Sequence, residues 1–151
     1  MKSIVSVLAV FLFTGILAAQ EVAVEKPKDQ TQATVTLEQL PDLVLKSGAL
    51  SFNNFNLVHE EAFFGGYKVT AQVTGKNRSG SDLNYTIYIF AKNYDSKEKT
   101  TRDICCFKIE PDLNVHEAGK VETLTDSGML SEVDFKNINM VRVKLVVQKS
   151  E

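Results

Sequence analysis

Apolar and polar residues alternate along most of the chain beyond residue 50, and this period of two predicts β-strands. In the clearest case, Val69, Ala71 and Val73 are separated by polar neighbours, as expected for a strand with one buried face. Related patterns predict strands over residues 52–58, 67–74, 83–94, 100–109, 120–124 and 141–147. Clusters of turn-forming residues separate these strands, and no long helical period is present. The chain is therefore predicted to be all-β, an antiparallel β-sandwich of about seven strands.

The same alternation predicts the core and two local features. Residues 83–94 are apolar on both faces, which is typical of a central strand. The side chains expected in the core are Val69, Ala71, Val73, Ile87, Ile89, Val143 and Leu145. Residues 126–128 predict a turn because they read Asp-Ser-Gly, and residues 131–135 fit one helical turn or a loop.

The first nineteen residues have the order of features that an export signal requires. Lys2 precedes an apolar run over residues 4–17, and Ala18 and Ala19 supply the small residues of a cleavage point. The run is shorter than the roughly 20 residues that span a bilayer. We therefore predict a signal peptide at residues 1–19 and no transmembrane anchor in the mature chain.

The remaining chain divides into two predicted parts. Residues 20–46 are rich in polar residues and form a predicted flexible or irregular N-terminal segment. For residues 34–46 within this segment, the sequence does not distinguish a short strand from a turn. Strand-like and helix-like patterns overlap there, and Pro41 interrupts both. The β-sandwich domain is predicted to occupy residues 47–151.

Charge and composition exclude some classes of partner. The 151-residue chain has a formal net charge of −2, and loss of Lys2 with the signal lowers it to −3. A slightly acidic chain gives no electrostatic reason to bind nucleic acid or an anionic membrane. With two cysteines, it is not a disulfide-stabilised scaffold, and no cysteine near the cleavage point is available for lipid attachment.

The two cysteines are adjacent, at Cys105 and Cys106, within a predicted strand. Neighbouring side chains on a strand point to opposite faces, so one thiol is expected inside and the other on the outer side. A disulfide between them would distort the backbone. Pairing of an exposed thiol with another chain is a further alternative, because export compartments are oxidising. Their redox state is left open.

Several strand edges and turns of the chain resemble those of a known domain family. The matching features are Gly66-Tyr67 before a strand, the run at residues 73–80, Tyr94-Asp95 closing the next strand, and Leu113 followed by Gly119-Lys120. They are similar to the FxLYD-type domains of exported prokaryotic proteins, over residues 50–147. Of the motif that names the family, only the Tyr-Asp end is present. The resemblance implies an immunoglobulin-like sandwich and export, and it supplies no catalytic residues.

The strongest candidate for a binding site is the aromatic loop before the strand at residues 67–74. Phe63, Phe64 and Tyr67 flank the Gly65-Gly66 pair, and aromatic side chains are favoured as anchors of protein interfaces. The alternative is that Phe63 or Phe64 closes the end of the sandwich.

Other chemistry is less well supported. His59 and His116 each precede glutamates, but the spacing does not match the His-Glu-x-x-His zinc motif. No Gly-x-Ser-x-Gly elbow or glycine-rich phosphate loop is present. Asp103, Glu110 and Asp112 form an acid pair only if the fold brings them together. We therefore predict no catalytic residues, no metal and no cofactor.

Taken together, these features predict an exported, non-catalytic β-sandwich protein that is periplasmic, cell-surface-associated or secreted. Its expected role is a protein- or surface-binding module of the cell envelope, with an unknown protein or envelope component as partner and no nucleic acid. The alternative is a small extracytoplasmic hydrolase or metal-binding protein, which a bound metal or a deep pocket joining His59 and His116 would favour.

Overall fold

A computed structural model describes residues 30–148 of the chain. These residues form eight strands, one short α-helix and two single-turn 3-10 helices. The strands are β1 (Gln32–Thr36), β2 (Leu45–Ser47), β3 (Leu50–Glu61), β4 (Tyr67–Asn77), β5 (Tyr85–Asp95), β6 (Thr100–Ile109), β7 (Val121–Leu130) and β8 (Met140–Val147). The helix is α1 (Glu132–Lys136), and the 3-10 helices are Leu40–Asp42 and Asp112–Asn114.

The strands form two four-stranded antiparallel sheets that pack as a sandwich. One sheet has the order β1-β8-β5-β6 and the other has the order β2-β3-β4-β7. The predicted all-β antiparallel sandwich is confirmed, with eight strands in place of about seven. The pairs β4–β7 and β5–β8 correspond to the B–E and C–F pairs of an immunoglobulin sandwich. β1 lies beside β8, where such a sandwich has its G strand.

The core lies between the two sheets. All of the predicted core residues are buried, from Val69 on β4 to Leu145 on β8, so that prediction is confirmed. Phe52 and Tyr85 meet across the core, with their ring centroids 4.8 Å apart. Gly75 makes room for this contact, because a Cβ there would lie 2.9 Å from the Phe52 ring.

The structure corrects the prediction of a flexible or irregular segment at residues 20–46 for the part that it describes, residues 30–46. β1 pairs with β8 in register, and Leu40, Leu43 and Leu45 are buried in the core. The sandwich therefore begins at β1 and not at residue 47. The local sequence did not decide this, because strand-like and helix-like patterns overlap at residues 34–46. The hydrogen bonds of β1 come from a strand about a hundred residues away. The predicted signal peptide at residues 1–19, and residues 20–29, lie outside the described residues.

The predicted turn at residues 126–128 is also wrong, because β7 continues through it. Asp126 pairs with Ala71 and Gly128 pairs with Val69, both on β4. The carboxylate of Asp126 accepts a hydrogen bond from the backbone N–H of Lys108, at 2.8 Å, and so joins β7 to β6. The helical turn left open at residues 131–135 is confirmed as α1, whose N-cap Ser131 accepts a hydrogen bond from the N–H of Asp134.

Candidate functional site

The hairpin between β3 and β4 ends in a defined turn at residues 62–66. The N–H of Gly65 donates to the carbonyl of Ala62 at 2.9 Å, and the N–H of Ala62 donates to the carbonyl of Gly66 at 3.0 Å. Gly66 has a φ of +79°, and a Cβ on it would lie 2.4 Å from the carbonyl oxygen of Leu130. Glycine at this position therefore lets the hairpin pack against the end of β7.

This turn presents Phe63 and Phe64 to solvent, and we call these two side chains the Phe pair. Each is 96% exposed. Their centroids are 5.1 Å apart and their planes are nearly perpendicular, at 88°, which is a favourable edge-to-face contact. The alternative prediction, that one of these rings closes the end of the sandwich, is therefore wrong.

Tyr67 belongs to a different cluster from the Phe pair. It is half-buried, and its ring lies 5.2 Å from that of His59 and 4.7 Å from that of Phe135 on α1. His59 and Phe135 are themselves 4.4 Å apart. Tyr67 and Phe135 also pack against the core, whereas His59 is exposed. The structure thus brings Phe63 and Phe64 together and places Tyr67 at their base.

Carboxylates surround the base of the hairpin tip. Glu60 and Glu61 are exposed at the end of β3. A shallow polar cleft of about 250 Å³ next to the turn is lined by Glu61 and by Glu132 of α1. Glu132 forms an ion pair with Lys136, and Lys68 lies opposite Glu60 on β4. Three carboxylates and two lysines therefore lie around the base of the Phe pair, which leaves a small acidic excess.

An apolar pocket of about 270 Å³ opens at the same end of the sandwich. Its apolar lining residues are Leu37, Leu40, Pro41, Leu57, Phe135 and Ile138, and its polar ones are Asn56 and His59. Sequence reasoning missed this pocket, because its walls come from the 3-10 helix Leu40–Asp42, β3 and α1, which are far apart in the chain.

A buried polar network occupies the opposite end of the sandwich. The hydroxyl of Tyr85 lies 2.6 Å from Nδ1 of His116, and Nε2 of His116 lies 3.1 Å from the carbonyl oxygen of Lys120. Because a carbonyl only accepts, Nε2 is the donor to Lys120, and with that tautomer Nδ1 is the acceptor for the Tyr85 hydroxyl. Asn77 donates to the carbonyl of His116 at 2.9 Å. Burial, and to a lesser extent the Glu122 carboxylate, raise the pKa of Tyr85 well above its usual value.

The structure does not bring the candidate metal ligands together. His59 pairs with Val69, whereas His116 is held by Asn77, eight residues further along β4. Val69 and Asn77 are therefore about 26 Å apart along β4, at 3.3 Å per strand residue. Within residues 30–148, no group of three or more His, Cys, Asp or Glu side chains is arranged to hold a metal ion.

Of the three acids considered as a catalytic pair, Glu110 and Asp112 line one open polar cleft of about 410 Å³ with Glu122, whereas Asp103 does not line it. Asp103 forms an ion pair with Lys92, and Glu110 forms one with Lys108 at 2.8 Å. Asp112 lies at the start of the 3-10 helix Asp112–Asn114. Lys108 and Thr86 both donate hydrogen bonds to Glu110, which lowers the pKa of that carboxyl. A carboxylate whose charged form is favoured in this way is a weaker candidate for a general acid.

The cysteines point to opposite faces of β6, as the alternation predicts. Cys105 packs against the core, Cys106 is exposed, and both thiols are free. Burial, followed by the neighbouring Cys106, raises the pKa of Cys105 to about 11. Burial also raises the pKa of Cys106, with Asp103 and Asp126 adding to the effect. Thiols with raised pKa values are poor nucleophiles at neutral pH.

Comparisons with known proteins give little information on identity. The chain matches no family model, and no curated protein is significantly similar to it. Among solved structures it is similar to the trimeric lipoprotein SadB of Salmonella enterica, at 9% identity and a TM-score of 0.46. The alignment covers 76% of this chain and 60% of the SadB chain. A similarity at this level carries no argument about function.

The described part of the chain contains no helix with the length and apolar character needed to cross a membrane.

Proposed function

We propose that this protein is an exported, non-catalytic β-sandwich that binds a partner protein at the cell envelope, with the Phe pair as its anchor. Export is supported by the order of charge, apolar run and small residues over residues 1–19. Binding is supported by the exposure of the Phe pair, which is the single observation that carries the proposal.

The fold does not use the free energy that burial of the two rings would supply. Burying a phenylalanine side chain stabilises a protein by about 1.5–3 kcal/mol, yet Phe63 and Phe64 are each 96% exposed. The turn that carries them is fixed by two backbone hydrogen bonds and by the close approach of Gly66 to Leu130. A turn whose backbone is fixed in this way needs little further ordering on binding, so less of the burial energy of the rings is offset by the ordering of the loop.

The surroundings of the Phe pair indicate the chemistry of the partner. An apolar cavity is needed for the rings, since aromatic anchors typically fill pockets at the centre of an interface. Glu60 and Glu61 lie beside the tip, so a cavity with a basic rim would match the hairpin in charge. Such rim charges mainly increase the rate of association.

A comparative pull-down from the envelope of the source organism tests this proposal. The bait is the mature protein, and the variant is the double substitution Phe63→Ser/Phe64→Ser. Leu113→Ala is the matched control, because Leu113 is 95% exposed in the 3-10 helix Asp112–Asn114 at the opposite end of the sandwich.

We expect one or more proteins to be captured by the wild type and by Leu113→Ala, and to be lost with the double variant. Capture that survives the double variant would contradict the proposal, as would equal loss with both variants. Circular dichroism and thermal unfolding of each bait verify that the three proteins are folded alike.

A further inference from the structure

Cationic side chains are concentrated on the outer face of the sheet β1-β8-β5-β6. On β5 and β8, the buried residues Ile87, Ile89, Val143 and Leu145 alternate with residues that point outward. The outward residues include two aromatic and four cationic side chains. They are Tyr88, Phe90, Lys92, Lys108, Arg142 and Lys144, and we call them the cationic face.

Strand register places these side chains in rows. Tyr88 lies between Lys144 on β8 and Lys108 on β6. In the next row, Phe90 lies between Arg142 and Cys106. Lys144 and Arg142 are two residues apart on one strand, which separates their Cα atoms by about 7 Å. The cations therefore form a flat array and not a single point of charge.

Aromatic rings hold part of this array in place. Nζ of Lys92 and Cζ of Arg142 each lie 5.9 Å from the centroid of the Phe90 ring. The rings of Phe90 and Tyr88 are 6.2 Å apart with an interplanar angle of 21°. Cations this close to a ring face are attracted by its quadrupole, so Phe90 keeps Lys92 and Arg142 close to the sheet.

The positive charge of the face is only partly neutralised. Lys92 and Lys108 form ion pairs with Asp103 and Glu110, whereas Arg142 and Lys144 form none among the described residues. Nη2 of Arg142 donates to Oε1 of Gln32 at 2.9 Å. Its Nε is buried and has no hydrogen-bond partner in the described part of the chain. The surface is thus locally positive in a chain whose formal net charge is −2.

We infer that the cationic face binds an acidic polysaccharide. This face is separate from the Phe pair, and the inference does not depend on the proposed function. Arg142 and Lys144 supply the charge for carboxylate or sulfate groups. Gln32 and Thr34, which pair with Lys144 and Arg142 from the neighbouring β1, supply amide and hydroxyl groups for sugar hydroxyls. Tyr88 supplies a partly exposed ring for the C–H face of a sugar.

Two other classes of polyanion fit this face less well. Single-stranded nucleic acid binds by stacking successive bases on several aromatic side chains, whereas the cationic face offers Tyr88 alone for this, because Lys92 and Arg142 occupy the ring of Phe90. Insertion into a membrane interface needs protruding apolar side chains. The most exposed rings, Phe63 and Phe64, are on the hairpin tip and not on this sheet.

Binding to polygalacturonate, with neutral dextran and oligothymidylate as comparison probes, tests the inference. The main variant is Lys144→Gln, because Lys144 is exposed and its loss leaves the core intact. A second variant adds Arg142→Gln. The matched control is Lys68→Gln/Lys76→Gln, which removes the same charge from the outer face of the other sheet.

We expect the wild type to bind polygalacturonate in a salt-dependent way and not to bind dextran. Lys144→Gln should weaken binding about threefold and the double variant about tenfold, with less than a twofold effect of the control pair. The inference is overturned by absence of polygalacturonate binding, by equal weakening in the control, or by tighter binding to oligothymidylate. Thermal unfolding verifies the fold of every variant.

Discussion

The hydroxyl of Tyr85 and Nδ1 of His116 lie 2.6 Å apart in the interior of the sandwich, where both side chains are fully buried. Tyr85 begins β5 of one sheet, and Nε2 of His116 contacts the carbonyl of Lys120, next to β7 of the other sheet. Asn77 on β4 completes the connection by donating to the carbonyl of His116. This network therefore ties the loop before β7 to both sheets.

Replacing Tyr85 with phenylalanine should destabilise the fold and change its response to pH. The substitution leaves the buried Nδ1 of His116 without a donor, which costs about 1–3 kcal/mol. Burial raises the pKa of Tyr85 above its ordinary value of 10.0. The neutral phenol is therefore favoured in the folded state, and its contribution is complete below pH 10 and is lost as the pH rises further.

Urea unfolding of Tyr85→Phe and the wild type at pH 7, and at several values above pH 10, measures both effects. The variant should be less stable at pH 7 and should lose less stability above pH 10. Tyr94→Phe is the control, because Tyr94 is exposed, and it should behave like the wild type. Equal stability of Tyr85→Phe and the wild type at pH 7 would show that the network contributes nothing.

The two cysteines should differ in reactivity in the folded protein. Cys106 is exposed, whereas Cys105 is half-buried and its pKa is raised to about 11. Alkylation with iodoacetamide, followed by mass spectrometry, should modify Cys106 first at pH 8 and modify both residues equally in urea. Cys105→Ser should also cost more stability than Cys106→Ser, since it places a hydroxyl against the core. Faster labelling of Cys105 would contradict the assigned face of β6.

The two glycines of the hairpin tip should respond differently to substitution by alanine. Both have positive φ, but a Cβ on Gly65 meets open space, whereas a Cβ on Gly66 lies 2.4 Å from a backbone oxygen of Leu130. Gly65→Ala should therefore cost about 1–2 kcal/mol of backbone strain. Gly66→Ala should cost clearly more in the free energy of unfolding, measured by chemical denaturation. Equal costs would mean that the hairpin does not pack against β7.

Removing core volume at Ile89 should have a large effect on stability. Ile89 is fully buried on β5 between β6 and β8. Ile89→Ala should lower the free energy of unfolding by about 2–5 kcal/mol, because it removes buried methyl groups and leaves a cavity. Val146→Ala, on the partly exposed face of β8, should cost much less. A denaturation midpoint unchanged by Ile89→Ala would contradict the assigned core.

Sequence patterns correctly predicted those strands whose alternation of apolar and polar residues is clear from the local sequence. The alternation around Val69 and Val143 correctly identified strands and their buried faces. It failed at β1, because this short strand at the edge of its sheet is held by β8, which lies at the other end of the chain. It also failed at Asp126 and Gly128, where turn-forming residues lie within β7 because Asp126 binds the backbone of β6.

The candidate site was predictable in part. Aromatic residues beside Gly65 and Gly66 indicated a contact loop, but the exposure of Phe63 depends on how the hairpin packs against Leu130. The separation of Tyr67 from the pair depends on α1, which supplies Phe135 from a distant part of the chain. His116 looked like a potential metal ligand, and its actual partner, Tyr85, could not be read from local spacing.

The central claim, that the exposed Phe pair is a binding anchor, is tested most directly by comparing affinity and stability in Phe64→Ala. Titration calorimetry with the partner captured by the wild type measures affinity, and urea unfolding of the same samples measures stability. We predict that binding weakens by more than about 1 kcal/mol, while the denaturation midpoint stays unchanged because the ring is 96% exposed. Unchanged affinity together with a stability loss of about 2 kcal/mol or more would contradict the claim and make Phe64 a structural residue.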